Sequence, residues 1–147
     1  MADIIVLHGP GNVGKTSTIH LLSYLMLTQA SPVYHMAANL HPRSWRELTA
    51  IYDNNMSKVV GLNSKGDLEW VIRAGIEELL SHTLAPPKIV VAVKEIRVWQ
   101  QIFIDYQNNG HNITYVDKRP FISPSGSSDY QKHLDNLSCA NHLLTLI

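Results

Sequence analysis

The sequence predicts an α/β fold of three-layer α/β/α build, with a mainly parallel five-stranded sheet and a glycine-rich loop after the first strand. Three observations lead there. Five short apolar runs, most of them rich in Val and Ile, alternate with stretches of helical periodicity, the pattern of right-handed crossovers between parallel strands. The strongest runs are continuous rather than alternating, as expected of strands covered on both faces. Glycine closes the first run at once, and a helical stretch follows within a few residues.

The elements follow in order. Residues 3–8, DIIVLH, read as a buried strand ended by Gly9. From Gly14 a helix is expected, with Ile19, Leu22, Leu25 and Met26 at helical spacing, fading by Ser31 and Pro32. Residues 33–37 form a second strand. His41, Pro42 and Arg43 break the chain, and Ser44 with Glu47 then fits a capping box. Leu48, Ile51 and Tyr52 give the helix expected there its apolar face. Residues 58–62, KVVGL, make a third strand, ended by the loop NSKGD. Leu68, Val71, Ile72, Ile76, Leu79 and Leu80 form a helical stripe, with Glu69, Arg73, Glu77 and Glu78 mostly off it. After Pro86 and Pro87, residues 89–93, IVVAV, are the most apolar strand. A helix over 96–107 stops at Asn108, Asn109 and Gly110, and residues 112–116 form the fifth strand. An irregular loop over 118–128 leads to a last helix, where Ser128 and Gln131 make a second capping box.

The chain has 147 residues, close to one domain spanning 1–147. That length can bury a proper core without a disulfide or structural metal. Lys and Arg together number 12, as do Asp and Glu, so the net charge is zero. Such a balance leaves no electrostatic footprint for nucleic acid or an anionic membrane. Cys139 is the sole cysteine; it suits a reducing compartment and reads as a small buried filler. No apolar run approaches the ~20 residues that span a bilayer, and Asp3 stands where a signal peptide would be basic. A cytoplasmic protein with no membrane partner is expected.

In an open parallel sheet, ligands bind outside the carboxyl ends of the strands. The loops there are 9–14, 39–43, 63–67, 94–97 and 117–128. The first lies in IIVLHGPGNVGKTS, residues 4–17, which fits two patterns. GPGNVG matches the dinucleotide fingerprint G-x-G-x-x-G; GPGNVGKT matches the phosphate loop G-x-x-x-x-G-K-[ST]. The fingerprint needs an acid about 20 residues on to hold ribose hydroxyls. Residues 31–46 contain no Asp or Glu. The phosphate loop lacks nothing locally. Gly9, Gly11 and Gly14 let backbone N–H groups turn toward phosphate oxygens, and the helix start adds its positive dipole end. The phosphate-binding stretch comprises Gly9, Gly11, Asn12, Val13, Gly14, Lys15, Thr16 and Ser17. Lys15 is placed to reach the β- and γ-phosphates, and the Thr16 hydroxyl to ligate Mg²⁺. The motif therefore points to a nucleoside triphosphate.

In this strand–loop–helix setting, the segment from Gly9 to Thr16 resembles the P-loop NTPase superfamily, and the strand pattern is most similar to its small kinase-type branch. The resemblance implies ATP and Mg²⁺ as cofactors, and an acid at the end of a neighbouring strand. The usual Asp directly after four apolar strand residues is missing. KVVGLNSKGD offers Asp67 past the strand end, and IVVAVKE offers Glu95. Asp67 is the expected catalytic and metal-positioning acid, because its strand is expected beside the first; a helix N-terminal acid is its plainer reading. Arg97, Lys118 and Arg119 are cations at the ligand edge, with Arg119 on a short lid, where they would neutralise charge on a transferred phosphoryl group. Ordinary surface charge is the alternative. Arg43 and Arg46 fall where an acceptor would bind, though a solvated helix start explains them as well. His8 reads as a core group. Trp45, Trp70 and Trp99 read as core, with Trp45 also able to stack an acceptor base.

The function expected is transfer of the γ-phosphoryl group of ATP to a small acceptor. Two alternatives stand beside it: an ATPase or GTPase that moves a partner, and a non-catalytic nucleotide-binding regulatory module acting on a protein partner. No N-K-x-D motif is present, since Asn63-Ser64-Lys65-Gly66-Asp67 is off by one residue, so ATP is favoured over GTP.

Overall fold

The computed structural model describes residues 1–10, 14–29, 31–36, 49–53, 59–64, 68–83, 85–94, 96–119 and 128–147. These residues form β1 (Asp3–His8), α1 (Lys15–Gln29), β2 (Ser31–Met36), β3 (Thr49–Asp53), β4 (Val59–Asn63), α2 (Glu69–Leu80), β5 (Lys88–Val93), α3 (Ile96–Asn108), β6 (Asn112–Asp117) and α4 (Asp129–Leu146). The strands make one sheet of order β2-β3-β4-β5-β1-β6. The block β4-β5-β1-β6 is parallel throughout. β3 runs antiparallel to both β2 and β4. The fold is α/β with a mostly parallel sheet, as the alternating pattern predicts.

Two expectations need correction here. The helix expected to carry Leu48, Ile51 and Tyr52 is a strand over 49–53, so the sheet has six strands rather than five. The i, i+3, i+4 spacing of three residues is too short a run to decide the period. Thr, Ile and Tyr fit a pleated surface better. The alternation of a strand is visible in the packing: Ala50 joins the core on one face of the sheet, and Ile51 joins the core on the other. The capping residues Ser44 and Glu47, with Leu48, lie outside the described residues. Secondly, β4 does not lie beside β1. Its neighbours are β3 and β5, and β5 and β6 flank β1.

Within β1, Ile5 and Leu7 point to one core while Ile4 and Val6 point to the other. This is the period of two that a strand imposes. The first core is completed by Ile19, Leu22 and Met26 of α1 and by Cys139, Ala140 and Leu143 of α4. The second takes Ile72, Ile76 and Leu79 from α2 and Ile102, Phe103 and Tyr106 from α3. Truncating any one of these aliphatic side chains to Ala would cost about 2–5 kcal/mol. Trp99 packs against the second core as expected, with its indole N–H buried and without an acceptor among the described residues. Trp70 departs from expectation: it is 71% exposed on α2, because it lies off that helix's apolar stripe. Trp45 lies outside the described residues.

Register sets the carboxyl ends of the central strands against one another. His8 is paired with Val93 of β5 on one side and Asp117 of β6 on the other. The last residues of three parallel strands are therefore level. No helix among the described residues is long and apolar enough to cross a membrane.

Candidate functional site

At this level end, β1 runs into the glycine loop. Gly9 is buried and Pro10 exposed. Gly11, Asn12 and Val13 lie outside the described residues. Gly14 holds φ +89°, in the left-handed region that a side chain disfavours. A Cβ there would collide with the side chain of Asn136, on α4. Two independent demands thus require glycine at the turn into α1. The helix then opens at Lys15 with no acid in its first turn, so its positive end is not offset by its own residues. The Thr18 hydroxyl and N–H both donate to the Gly14 carbonyl, at 2.7 and 2.8 Å, and fix the first turn.

The Lys15 side chain folds back over the start of the loop. Its ammonium donates to the Gly9 carbonyl at 2.9 Å and to the Pro10 carbonyl at 2.7 Å. The charge is thus held over the mouth of the loop. Thr16 and Ser17 are half-buried in the same turn. Of the expected phosphate-binding stretch, Gly9, Gly14, Lys15, Thr16 and Ser17 therefore lie together around one loop.

On the other side of Gly9 is a cavity of about 270 Å³. His8, Gly9 and Pro10 form one wall, Lys94, Ile96 and Arg97 a second, and Arg119 closes it. Lys94 and Arg97 are exposed and make no ion pair among the described residues. Arg119 is clasped by Asp117: its Nε donates to both carboxylate oxygens at 3.0 and 2.9 Å, its Nη2 lies 2.8 Å from Oδ2, and its backbone N–H donates to Oδ1 at 2.9 Å. That contact holds the Asp117 carboxyl below its ordinary range. Asp117 thereby orients a cation toward the loop.

His8 is half-buried and lines the cavity, which corrects its reading as a core group. It sits at the last position of β1, at the carboxyl end of the strand. Its ring meets Tyr115 edge-on at 6.2 Å. Burial pushes its pKa below the usual value; Asp117 acts the other way, and Arg119 and Lys15 add to the lowering. A neutral imidazole at neutral pH follows.

Lys118 also differs from expectation. Its N–H donates to the His8 carbonyl at 2.8 Å, extending the β6–β1 ladder by one residue. Its side chain is fully buried and lies within electrostatic reach of Cys139 and Asp135 of α4. The reason is alternation: Lys118 and Arg119 leave the strand end on different sides, so only Arg119 reaches the cavity. Cys139 is buried as expected, and burial raises its thiol to about 11, with Lys118 opposing.

Asp67 and Glu95, the two candidate metal-positioning acids, lie outside the described residues, as do Arg43 and Arg46. Two residues escaped the sequence reading. Asp117 carried a signal, an acid at a strand end two residues before an arginine. Asn136 carried none, because its contact with Gly14 spans more than a hundred positions.

No protein-family model, curated protein or solved structure matches this chain.

Proposed function

We propose that this chain is an ATP-binding protein of the P-loop type, a single three-layer α/β/α domain over 1–147, acting in the cytoplasm and transferring the γ-phosphoryl group of ATP to a small acceptor. The observation that carries the proposal is the coincidence of GPGNVGKT with the carboxyl end of a strand flanked on both sides by parallel neighbours. That is the position where an open α/β sheet binds its ligand. A phosphate chain fits what is there: a glycine at positive φ whose Cβ would be blocked, a helix start without acid, and a lysine ammonium over the loop.

In this proposal Lys15 leaves the Gly9 and Pro10 carbonyls for phosphate oxygens, and Thr16 offers its hydroxyl to Mg²⁺. Mg²⁺ is commonly held by one or two protein oxygens plus phosphates rather than by a protein cage. When bound, it would neutralise charge between the β- and γ-phosphates. Arg119, oriented by Asp117, would neutralise charge on the group in transfer.

Sheet order supports a different acid as the second metal-positioning oxygen: β4, the strand before Asp67, is one place removed from β1. Glu95 follows Val93, the residue paired with His8, by two positions. We therefore assign the acid to Glu95 and retain Asp67 as the control. With labelled ATP, Mg²⁺ and an unbiased set of acceptors, Glu95→Gln is expected to lose turnover by roughly a hundredfold or more while ATP still binds, and Asp67→Asn to retain it. Loss in Asp67→Asn alone would reverse the assignment. An inert parent, with every acceptor and with water, would instead favour the regulatory module.

A further inference from the structure

The two edges of the sheet differ. β2, at one edge, carries Pro32, and its register with β3 shifts between Pro32 and Tyr34. Proline and a broken register keep an edge strand from pairing with another chain. β6, at the other edge, has neither. Its residues, NITYVD, include no proline and no lysine, and its register with β1 is unbroken from Asn112 to Asp117. Asn112, Thr114 and Tyr115 are exposed, Tyr115 by 41% of its surface.

Alternation decides what that edge presents. The Asn112 and Lys118 N–H groups donate to the Ala2 and His8 carbonyls, so the even-numbered residues face β1. The N–H and C=O groups of Ile113, Tyr115 and Asp117 therefore point away from the sheet. Their side chains share the face of the second core: Ile113 packs against it, and Tyr115 meets Phe103 edge-on at 6.3 Å. A second sheet continues this one in the same plane only if odd residues meet odd residues. About a two-fold axis at Thr114 the strand is then its own complement. Ile113 stands opposite Tyr115 of the second copy in both directions, an aromatic–β-branched pair. Asp117 stands opposite His111 of the second copy. His111 Nδ1 accepts from the Ala2 N–H at 3.2 Å, so its Nε2 is left to donate to a carboxylate. A two-fold at Tyr115 would instead set Asp117 against Ile113 and the buried Lys118 against Asn112, losing both matches.

We propose that β6 is a self-association edge: two copies of this chain pair antiparallel through β6 about a two-fold axis at Thr114, so that one sheet runs through the dimer. Each Ile113–Tyr115 pair exchanges two N–H···O bonds. The Asp117 N–H finds the His111 carbonyl of the second copy, while the His111 N–H stays with the Tyr106 carbonyl at 3.1 Å. The contact is small, so the dimer is weak and reversible. It stands independently of any nucleotide at the glycine loop. It also brings His111 of the second copy against Asp117, the residue that clasps Arg119.

The test is sedimentation velocity of the full chain at concentrations from about 1 to about 500 µM, the range of a weak contact. The average mass is expected to rise with concentration from that of one chain toward that of two. Thr114→Lys sets two ammonium groups opposite each other across the axis. It is expected to stay monomeric where the parent is half dimeric, and, because Thr114 is exposed, to melt as the dilute parent does. Cross-linking then reads the register without relying on that variant. A directly opposed, non-hydrogen-bonded pair holds its Cα atoms about 4.5 Å apart, within disulfide reach. Thr114→Cys is therefore expected to form a disulfide-linked dimer under glutathione disulfide. Asn112→Cys is expected not to, since its two copies stand about 13 Å apart along the strands. Cys139 is buried and gives no background link. The proposal is overturned if the parent is monomeric throughout the range, if folded Thr114→Lys dimerises as strongly as the parent, or if Asn112→Cys links as readily as Thr114→Cys.

Discussion

Gly14 holds φ +89° and faces the Asn136 side chain where a Cβ would stand. Gly14→Ala should therefore destabilise the fold by about 1–3 kcal/mol from backbone strain, with the collision adding to it. Thermal unfolding checks this, and Asn136→Ala in the same chain should recover the collision but not the strain. Full recovery would mean that φ at this position is free to change. At Lys15 the expectation is different in kind. The side chain is half-buried and its ammonium bonds to the Gly9 and Pro10 carbonyls, so Lys15→Ala should leave the melting temperature nearly unchanged while abolishing tight triphosphate binding. His8 gives a pH effect. Its folded-state pKa lies below the ordinary histidine value of about 6.5, chiefly through burial. As pH falls from 6.5, the unfolded chain takes up the proton first, so stability drops until the folded-state value is passed and is flat below it. In His8→Gln this fall should be smaller, as measured by urea unfolding across that window; an unchanged slope would assign it to the other histidines. Gly14 and Lys15 were legible in the sequence because the motif is local. The Asp117–Arg119 clasp was half legible, and Asn136 not at all, since only the fold brings it to the loop.

α4 is the element that ties the loop to the body of the protein. Its Asn136 packs at Gly14, its Asp135 and Cys139 lie near the buried Lys118, and its Cys139, Ala140 and Leu143 close the first core. Its start is fixed by the capping box that the sequence announces: the Gln131 N–H donates to Ser128 Oγ at 3.2 Å, and the Ser128 N–H donates to Gln131 Oε1 at 3.0 Å. Ser128→Ala should cost about 0.5–2 kcal/mol. If α4 also holds the loop in shape, the same variant should weaken ATP; unchanged ATP affinity with the stability loss would confine the cap to a folding role. α2 and α3 are joined more loosely. Arg73 reaches Asp105 at 2.9 Å and the Tyr106 hydroxyl donates to Glu77 at 2.7 Å. The Arg73–Asp105 pair is substantially exposed, so solvent screens it and it adds little to stability. Caps and long apolar stripes were readable at this scale because each is a local rule. β3 was not, because five residues with Ile and Tyr fit either period until the sheet decides between them.

Across the whole molecule, the parallel block β4-β5-β1-β6 followed from the sequence, and the order of its strands did not. Alternating elements imply crossovers but leave open which strands become neighbours. That gap matters, because strand order decides whether Asp67 or Glu95 follows a strand beside the loop. The central claim is that the glycine loop takes a nucleoside triphosphate and not a dinucleotide. It is tested most directly by thermal unfolding of the parent and of Lys15→Ala, each with ATP and Mg²⁺ and each with NAD. Ligand at about 100 times its dissociation constant stabilises the parent by about 2.7 kcal/mol, which for a domain of this size is a rise of roughly 5–10 °C. That rise is expected for the parent with ATP, with none for the parent with NAD and none for Lys15→Ala with either. A rise with NAD but not with ATP, or an equal rise with ATP in Lys15→Ala, would contradict it.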